Sequence, residues 1–103
     1  FDSTIKTAYT ATAEKTEGGV SVTGTASVAS GKTIVDLKIS VYNAEGVLVG
    51  ESDTITGGKA KVALDTVVNT TATGVLRVEI TGTVKVSDTT YEAPVANSYI
   101  IVR

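Results

Sequence analysis

The 103-residue sequence predicts an all-β domain, a seven-stranded antiparallel β-sandwich, from three observations. The apolar residues are mostly β-branched: 16 Val and 7 Ile stand against 4 Leu and 1 Phe, and there are 18 Thr. Branched side chains are stiff at the first torsion and suit a pleated surface better than a helix. Along most of the chain, apolar residues alternate with polar ones at period two, and no segment repeats at 3.6 residues. Turn residues interrupt the alternation often enough to cut the chain into short strands.

The strongest strand pair runs from Thr33 to Ile55, TIVDLKISVYNAEGVLVGESDTI. Val35, Leu37, Ile39 and Val41 are expected to face inward, with Asp36, Lys38, Ser40 and Tyr42 outward. Asn43-Ala44-Glu45-Gly46 predicts a type I turn followed by a left-handed residue, after which Val47-Leu48-Val49 resumes as the return strand of a hairpin. The rest of the chain is expected to pack around this pair.

The remaining strands follow in order. Ile5, Thr7, Tyr9, Ala11 and Ala13 share one face of a first strand, which ends at the turn Glu17-Gly18-Gly19. Val20, Val22, Gly24, Ala26 and Val28 share the inner face of a second, and Gly24 there marks a bulge or a close backbone approach. Ser30-Gly31-Lys32 leads into the central hairpin, and Gly57-Gly58 turns the chain after it. Ala60, Val62 and Leu64 face in from a fifth strand, whose outward Lys59 and Lys61 suit a protected sheet edge. Residues 66–74 are expected to form a polar connection. Leu76, Val78, Ile80, Gly82, Val84 and Val86 share one face of a run longer than an ordinary strand, and Gly82 is expected to let its halves pair with different neighbours. Ser87-Asp88-Thr89-Thr90 turns the chain into a last strand, Tyr91 to Val102, where Pro94 belongs at an edge or bulge.

Composition excludes several classes of function. The formal charge is −2 with no basic cluster, so no nucleic-acid footprint is expected. No apolar run reaches spanning length, so no membrane span is expected. Cys, Met, Trp, His and Gln are absent. The lack of Cys removes disulfides, thiol chemistry and thiolate metal sites, and the lack of His removes the commonest general base and transition-metal ligand. No cofactor and no metal site is expected. The chain opens at Phe1 without an initiator Met and reads as one domain, residues 1–103, either a processed chain or, the favoured expectation, a module cut from a longer one.

The segment KAKVALD, a Gly-containing polar loop, VLRVEITG and a terminal SYIIVR resemble the last three strands of bacterial extracellular immunoglobulin-like and fibronectin-III-like modules. The resemblance is one of pattern over most of the chain and carries no specific motif. It implies an Ig-like sandwich without the antibody Cys pair or core Trp. It further implies a secreted or cell-surface location and the roles such modules have in surface-layer proteins, adhesins and secreted glycan-active enzymes. Partners would be neighbouring domains, other copies of a surface protein, or cell-wall glycan.

Few residues suggest chemistry. Glu51 and Asp53 fall on one strand face, but an acid pair needs one desolvated member and a cleft, and nothing nearby supplies either. A calcium ion wants 6–8 oxygens, and no Asp-rich loop offers such a cluster; Asp88 and Glu92 beside the last turn come nearest to it. Lys6, Glu79 and Asn97 stand in the order of the self-formed isopeptide bond of some adhesin modules. Alternation turns Lys6 and Glu79 outward, however, where that bond needs all three in the core. Recurrent Thr-x-Thr pairs are irregularly spaced, so they make no solenoid repeat. Asn69-Thr70-Thr71 matches a glycosylation acceptor. Tyr42, outward at a hairpin end, and Tyr91, at a strand start, are the candidate ligand-binding aromatics. The expected function is a non-catalytic structural, spacer or assembly module; the alternative is a carbohydrate- or cell-wall-binding module acting through Tyr42.

Overall fold

The computed structural model describes residues 7–29, 31–92 and 96–102. Ile5, Lys6, Ser30 and Pro94 lie outside them. The described residues form ten antiparallel strands and no helix: β1 (Thr7–Tyr9), β2 (Thr12–Thr16), β3 (Gly19–Val28), β4 (Lys32–Tyr42), β5 (Leu48–Glu51), β6 (Ile55–Lys59), β7 (Lys61–Asn69), β8 (Gly74–Val86), β9 (Thr89–Glu92) and β10 (Ala96–Val102).

The expected count of seven becomes ten because two of the expected strands are interrupted along their length and the described part of the last comprises both β9 and β10. The ten fall into seven columns. In one sheet, β1 and β2 both lie along one side of β3, and in one register: Tyr9 opposes Ala26 and Thr12 opposes Thr23. β7 pairs with the other side of β3, from Gly19–Asn69 to Ser27–Lys61. In the second sheet, β4 and β8 pair from Lys32–Val86 to Tyr42–Arg77. The free side of β4 takes β5 and β6, and the free side of β8 takes β10 and β9. β10 pairs with residues 74–80 of β8 and β9 with residues 83–86, both on one side of β8 and both within the single last strand expected from the sequence, so the two halves of β8 share that neighbour instead of taking different ones.

The inner faces carry the core. Val20, Val22, Ala26, Val62, Leu64 and Val68 from the first sheet meet Leu37, Ile39, Val41, Leu76, Val78 and Ile80 from the second. Burying each large side chain contributes about 1.5–3 kcal/mol, which makes this layer the main stabilising term. The molecule measures 44 × 23 × 19 Å. β8 spans its length, since 13 residues at about 3.3 Å each reach about 43 Å.

The inward set on β4 differs from the expected one at its start. Ile34 is fully buried, whereas Val35 is 37 % exposed; Leu37, Ile39 and Val41 face inward as expected. The cause is a bulge. Opposite β8, Ile34 pairs with Val84 but Asp36 pairs with Thr83, leaving Val35 as an extra residue. One inserted residue shifts the side-chain phase by one and swaps faces. The phase is held by a hydrogen bond, in which Thr83 Oγ1 donates to Asp36 Oδ1 at 2.9 Å. It also needs the absence of a side chain at Gly82, where a Cβ would overlap the Asp36 carbonyl oxygen.

Three other expectations shift. Gly57-Gly58 lies within β6 rather than in a turn, and the chain crosses between sheets at Ala60, which is exposed rather than inward. Residues 66–69 continue β7, with Val68 buried in phase with Val62 and Leu64. Their Thr and Asn content hid a β-branched strand whose partner, Gly19–Val22, lies far away in sequence. The last turn is Ser87-Asp88 alone, with Ser87 left-handed at φ 54° and Thr89 already in β9.

The central hairpin closes as expected. Gly46 is left-handed at φ 80° and its N–H donates to the Asn43 carbonyl at 3.0 Å. Asn43 Oδ1 accepts from the Glu45 and Val47 N–H groups at 3.0 and 2.9 Å, which pins the turn. Between β5 and β6, buried Ser52 bridges the gap in the ladder. Its Oγ accepts from the Ile39 N–H at 3.0 Å and its N–H donates to the Ile39 carbonyl at 2.8 Å.

Candidate functional site

The outer face of the second sheet carries an apolar and aromatic surface near the Asn43 turn. Strand register fixes its layout. Leu48 pairs with Tyr42, Tyr42 with Arg77, and Arg77 with Tyr99, forming one row across β5, β4, β8 and β10. Beside this row, Val75 pairs with Ile101 on one side and Glu79 with Asn97 on the other. Directly paired residues share a face, so these side chains stand together. Tyr99 is 69 % exposed and Ile101 62 %, and Val75 and Leu48 are close to half exposed.

Arg77 sits at the centre and is held from three sides. Its Nη1 donates to Glu79 Oε2 at 2.6 Å and to Asn97 Oδ1 at 3.1 Å. Its guanidinium lies over the Tyr42 ring, 4.3 Å from the centroid. A cation over an aromatic face and a charge-assisted contact to a carboxylate both favour a fixed planar head. A groove of about 320 Å³ opens beside it, lined by Asn43, Ala44, Gly46, Val75, Arg77 and Tyr99.

The candidates named from the sequence separate in space. Tyr42 faces outward as expected, with one ring face covered by Arg77. Tyr91 pairs with Val84 and packs, half-buried, against it, as Val28 and Val86 also do, near the opposite end of the sheet. Val84 lies seven residues from Arg77 along β8, about 23 Å. Glu79 and Asn97 are brought side by side on the outer face at Arg77, and Lys6 lies outside the described residues. Glu51 pairs with Lys38 at 3.1 Å and Asp53 is exposed. Asn69 of the glycosylation acceptor is exposed at the end of β7. Asp88 and Glu92 are exposed, and no group of three metal-ligating side chains occurs among the described residues.

Tyr99 is the most exposed aromatic among the described residues, and sequence alternation does not assign it a face. Tyr99-Ile100-Ile101 is a continuous apolar run in which alternation gives no phase. Pairing with Gly74–Ile80 settles it: Ile100 joins the core margin opposite Leu76, so Tyr99 and Ile101 turn outward.

A second concavity, about 160 Å³, lies between the sheets where β2 approaches β10. Tyr9, Ala11, Ala13, Val22, Val78 and Ile80 contribute its apolar walls. Burial raises the Tyr9 hydroxyl above the ordinary value of 10.0, because the phenolate is poorly solvated there. The folded state then holds this proton more tightly than the unfolded chain. The resulting stability is full below the unfolded value and is lost as pH rises through the folded one. Denaturation midpoints measured at intervals from pH 8 to pH 12 are expected to fall above about pH 10, and to fall less in Tyr9→Phe. Equal alkaline losses in both proteins would show that Tyr9 has no part in it.

No protein-family model matches the sequence, and no curated protein matches it. No helix among the described residues is long and apolar enough to cross a membrane.

Proposed function

We propose that this chain is an immunoglobulin-like sandwich module of the fibronectin-III kind, and that it serves as a non-catalytic spacer and assembly unit in a bacterial secreted or cell-surface protein. The arrangement of three columns facing four supports the fold assignment. A Thr-, Val- and Lys-rich composition without Cys supports the surface location.

One observation carries the spacer role. Thr7 of β1 pairs with Val28, at the end of the sandwich where Val84 and Tyr91 lie. Val102 of β10 pairs with Gly74, at the opposite end. The chain therefore enters and leaves at opposite ends of a 44 Å axis. Tension between those ends loads the ladders of β1–β3 and β10–β8 along the strands. Their hydrogen bonds lie across the pull and must break together, which resists extension better than unzipping one by one.

Single-molecule stretching of the chain between handles at its two ends tests this. One cooperative unfolding event is expected, with a length gain of about 300 Å. This follows from about 3.6 Å for each residue between Thr7 and Val102, less the folded length of 44 Å. Gradual extension without a discrete event would remove the spacer role. Hydrolysis of a glycan or peptide by the purified chain would remove the non-catalytic one.

A further inference from the structure

We infer that the groove between Tyr99 and the Asn43 turn is a binding site for a neutral sugar ring, going beyond the spacer role and independent of it. Two observations on different elements meet there. Tyr99, 69 % exposed as a residue, offers its ring on a face otherwise supplied with the aliphatic side chains of Val75 and Ile101. A pyranose presents a face of C–H groups that stacks on such a ring, while its rim of hydroxyls needs polar partners.

Arg77 supplies those partners from an already ordered position. Its two protein acceptors, Glu79 and Asn97, both engage Nη1. A guanidinium carries five N–H donors, so the three on Nη2 and Nε have no acceptor among the described residues. Tyr42 lies against the guanidinium, and Glu79 and Asn97 hold its Nη1, so little rotamer freedom is lost when a hydroxyl binds. Tyr42 is thus a positioning residue and Tyr99 the platform. Asn43, at the far wall, is tied into the turn by its own Oδ1, which fixes that side of the groove.

Charge selects the class of sugar. Glu79 neutralises Arg77 at 2.6 Å, and Arg77 is the only charged side chain lining the groove among the described residues. An acidic sugar would meet no net positive charge, whereas a neutral hexose or N-acetylhexosamine suits alternating apolar and hydrogen-bonding surface. The groove volume of about 320 Å³ lies at the small end of ligand sites, which run from about 300 to 1,000 Å³, and matches one or two sugar units.

The test is titration of the 15N-labelled 103-residue chain with cellohexaose, chitohexaose, laminarihexaose, mannohexaose and, as the acidic control, hexagalacturonic acid. Amide shifts at residues 43–46, 75–79 and 97–101 are expected with at least one neutral sugar and not with the acidic one. Tyr99→Ala is expected to weaken binding at least about tenfold, whereas Tyr99→Phe, which keeps the ring, stays within about threefold. Tyr42→Leu is expected to weaken it while leaving the Tyr99 platform intact, and Tyr91→Phe to change nothing. Shifts that persist in Tyr99→Ala, binding of the acidic sugar alone, or silence with all five probes would each overturn the proposal. So would changes at the same residues on raising protein concentration without sugar, which would assign the face to a second copy of the chain.

Discussion

Ile34→Ala is expected to lower the free energy of unfolding by about 2–5 kcal/mol, whereas Val35→Ala is expected to cost less than about 1 kcal/mol. The two residues are adjacent, β-branched and alike in chemistry, so the contrast isolates their positions. Ile34 is fully buried in the main core between the sheets, and removing three carbons leaves a cavity that the close-packed sheets fill only in part. Val35 is the extra residue of the bulge and is 37 % exposed, so its truncation removes little buried surface. Urea denaturation of the two variants reads the difference directly as a shift in midpoint at unchanged slope. Similar losses in both, or a larger loss at Val35, would mean that the strand pairs without the bulge. The phase that simple alternation assigns would then be correct. A second variant locates the cause: Asp36→Ala removes the acceptor of Thr83 Oγ1 and is expected to narrow the gap between the two positions.

This position shows which structural information was local in the sequence and which was not. Period-two alternation placed Leu37, Ile39, Val41, Val20, Val22, Val78 and Ile80 inward, because each is set by its own strand. The bulge at Val35 depends on the partner strand: Gly82 admits the Asp36 carbonyl and Thr83 binds the Asp36 carboxylate, 46 and 47 residues away in sequence. Alternation within one strand carries no trace of either. The same holds for the continuation of β7 through Thr66-Val67-Val68, whose partner precedes it by more than 40 residues. The candidate site divides the same way. Tyr42 was legible as outward because Asp36, Lys38 and Ser40 set its phase. Tyr99 was not, since Ile100 and Ile101 follow it and only pairing with β8 assigns the faces. The convergence of Arg77, Tyr42, Glu79 and Asn97 is a product of cross-strand register, which one sequence does not display.

Gly24→Ala is expected to be the most damaging single-methyl addition, costing about 3 kcal/mol or more and detaching the first two strands. Two independent effects add at this position. Gly24 has φ 136°, a conformation nearly closed to residues with a Cβ. A Cβ built there would also overlap the carbonyl oxygen of Thr10, between β1 and β2, and a backbone atom gives way less easily than a side-chain tip. The site sits where β1 ends and β2 begins, in one continuous register along β3, and the link is maintained by the Thr10 N–H donating to the Thr25 carbonyl at 2.9 Å. Moving Thr10 aside therefore breaks the ladder at its middle and pulls Tyr9, Ala11 and Ala13 from the margin of the core. Hydrogen exchange distinguishes local from global damage. In Gly24→Ala, amides of residues 7–16 are expected to lose protection while those of β4 and β8 keep most of theirs, because the β4–β8 ladder pairs in the other sheet and none of its hydrogen bonds runs through Thr10. Gly31→Ala is the matching control, since that glycine also has a positive φ, 87°, but has open space around it. Its cost is confined to backbone strain, about 1–2 kcal/mol. If the two variants were equally stable, the close approach of β1–β2 to β3 would have to be wrong. The opposite-end path of the chain through the sandwich, which enters along that same strand, would fall with it.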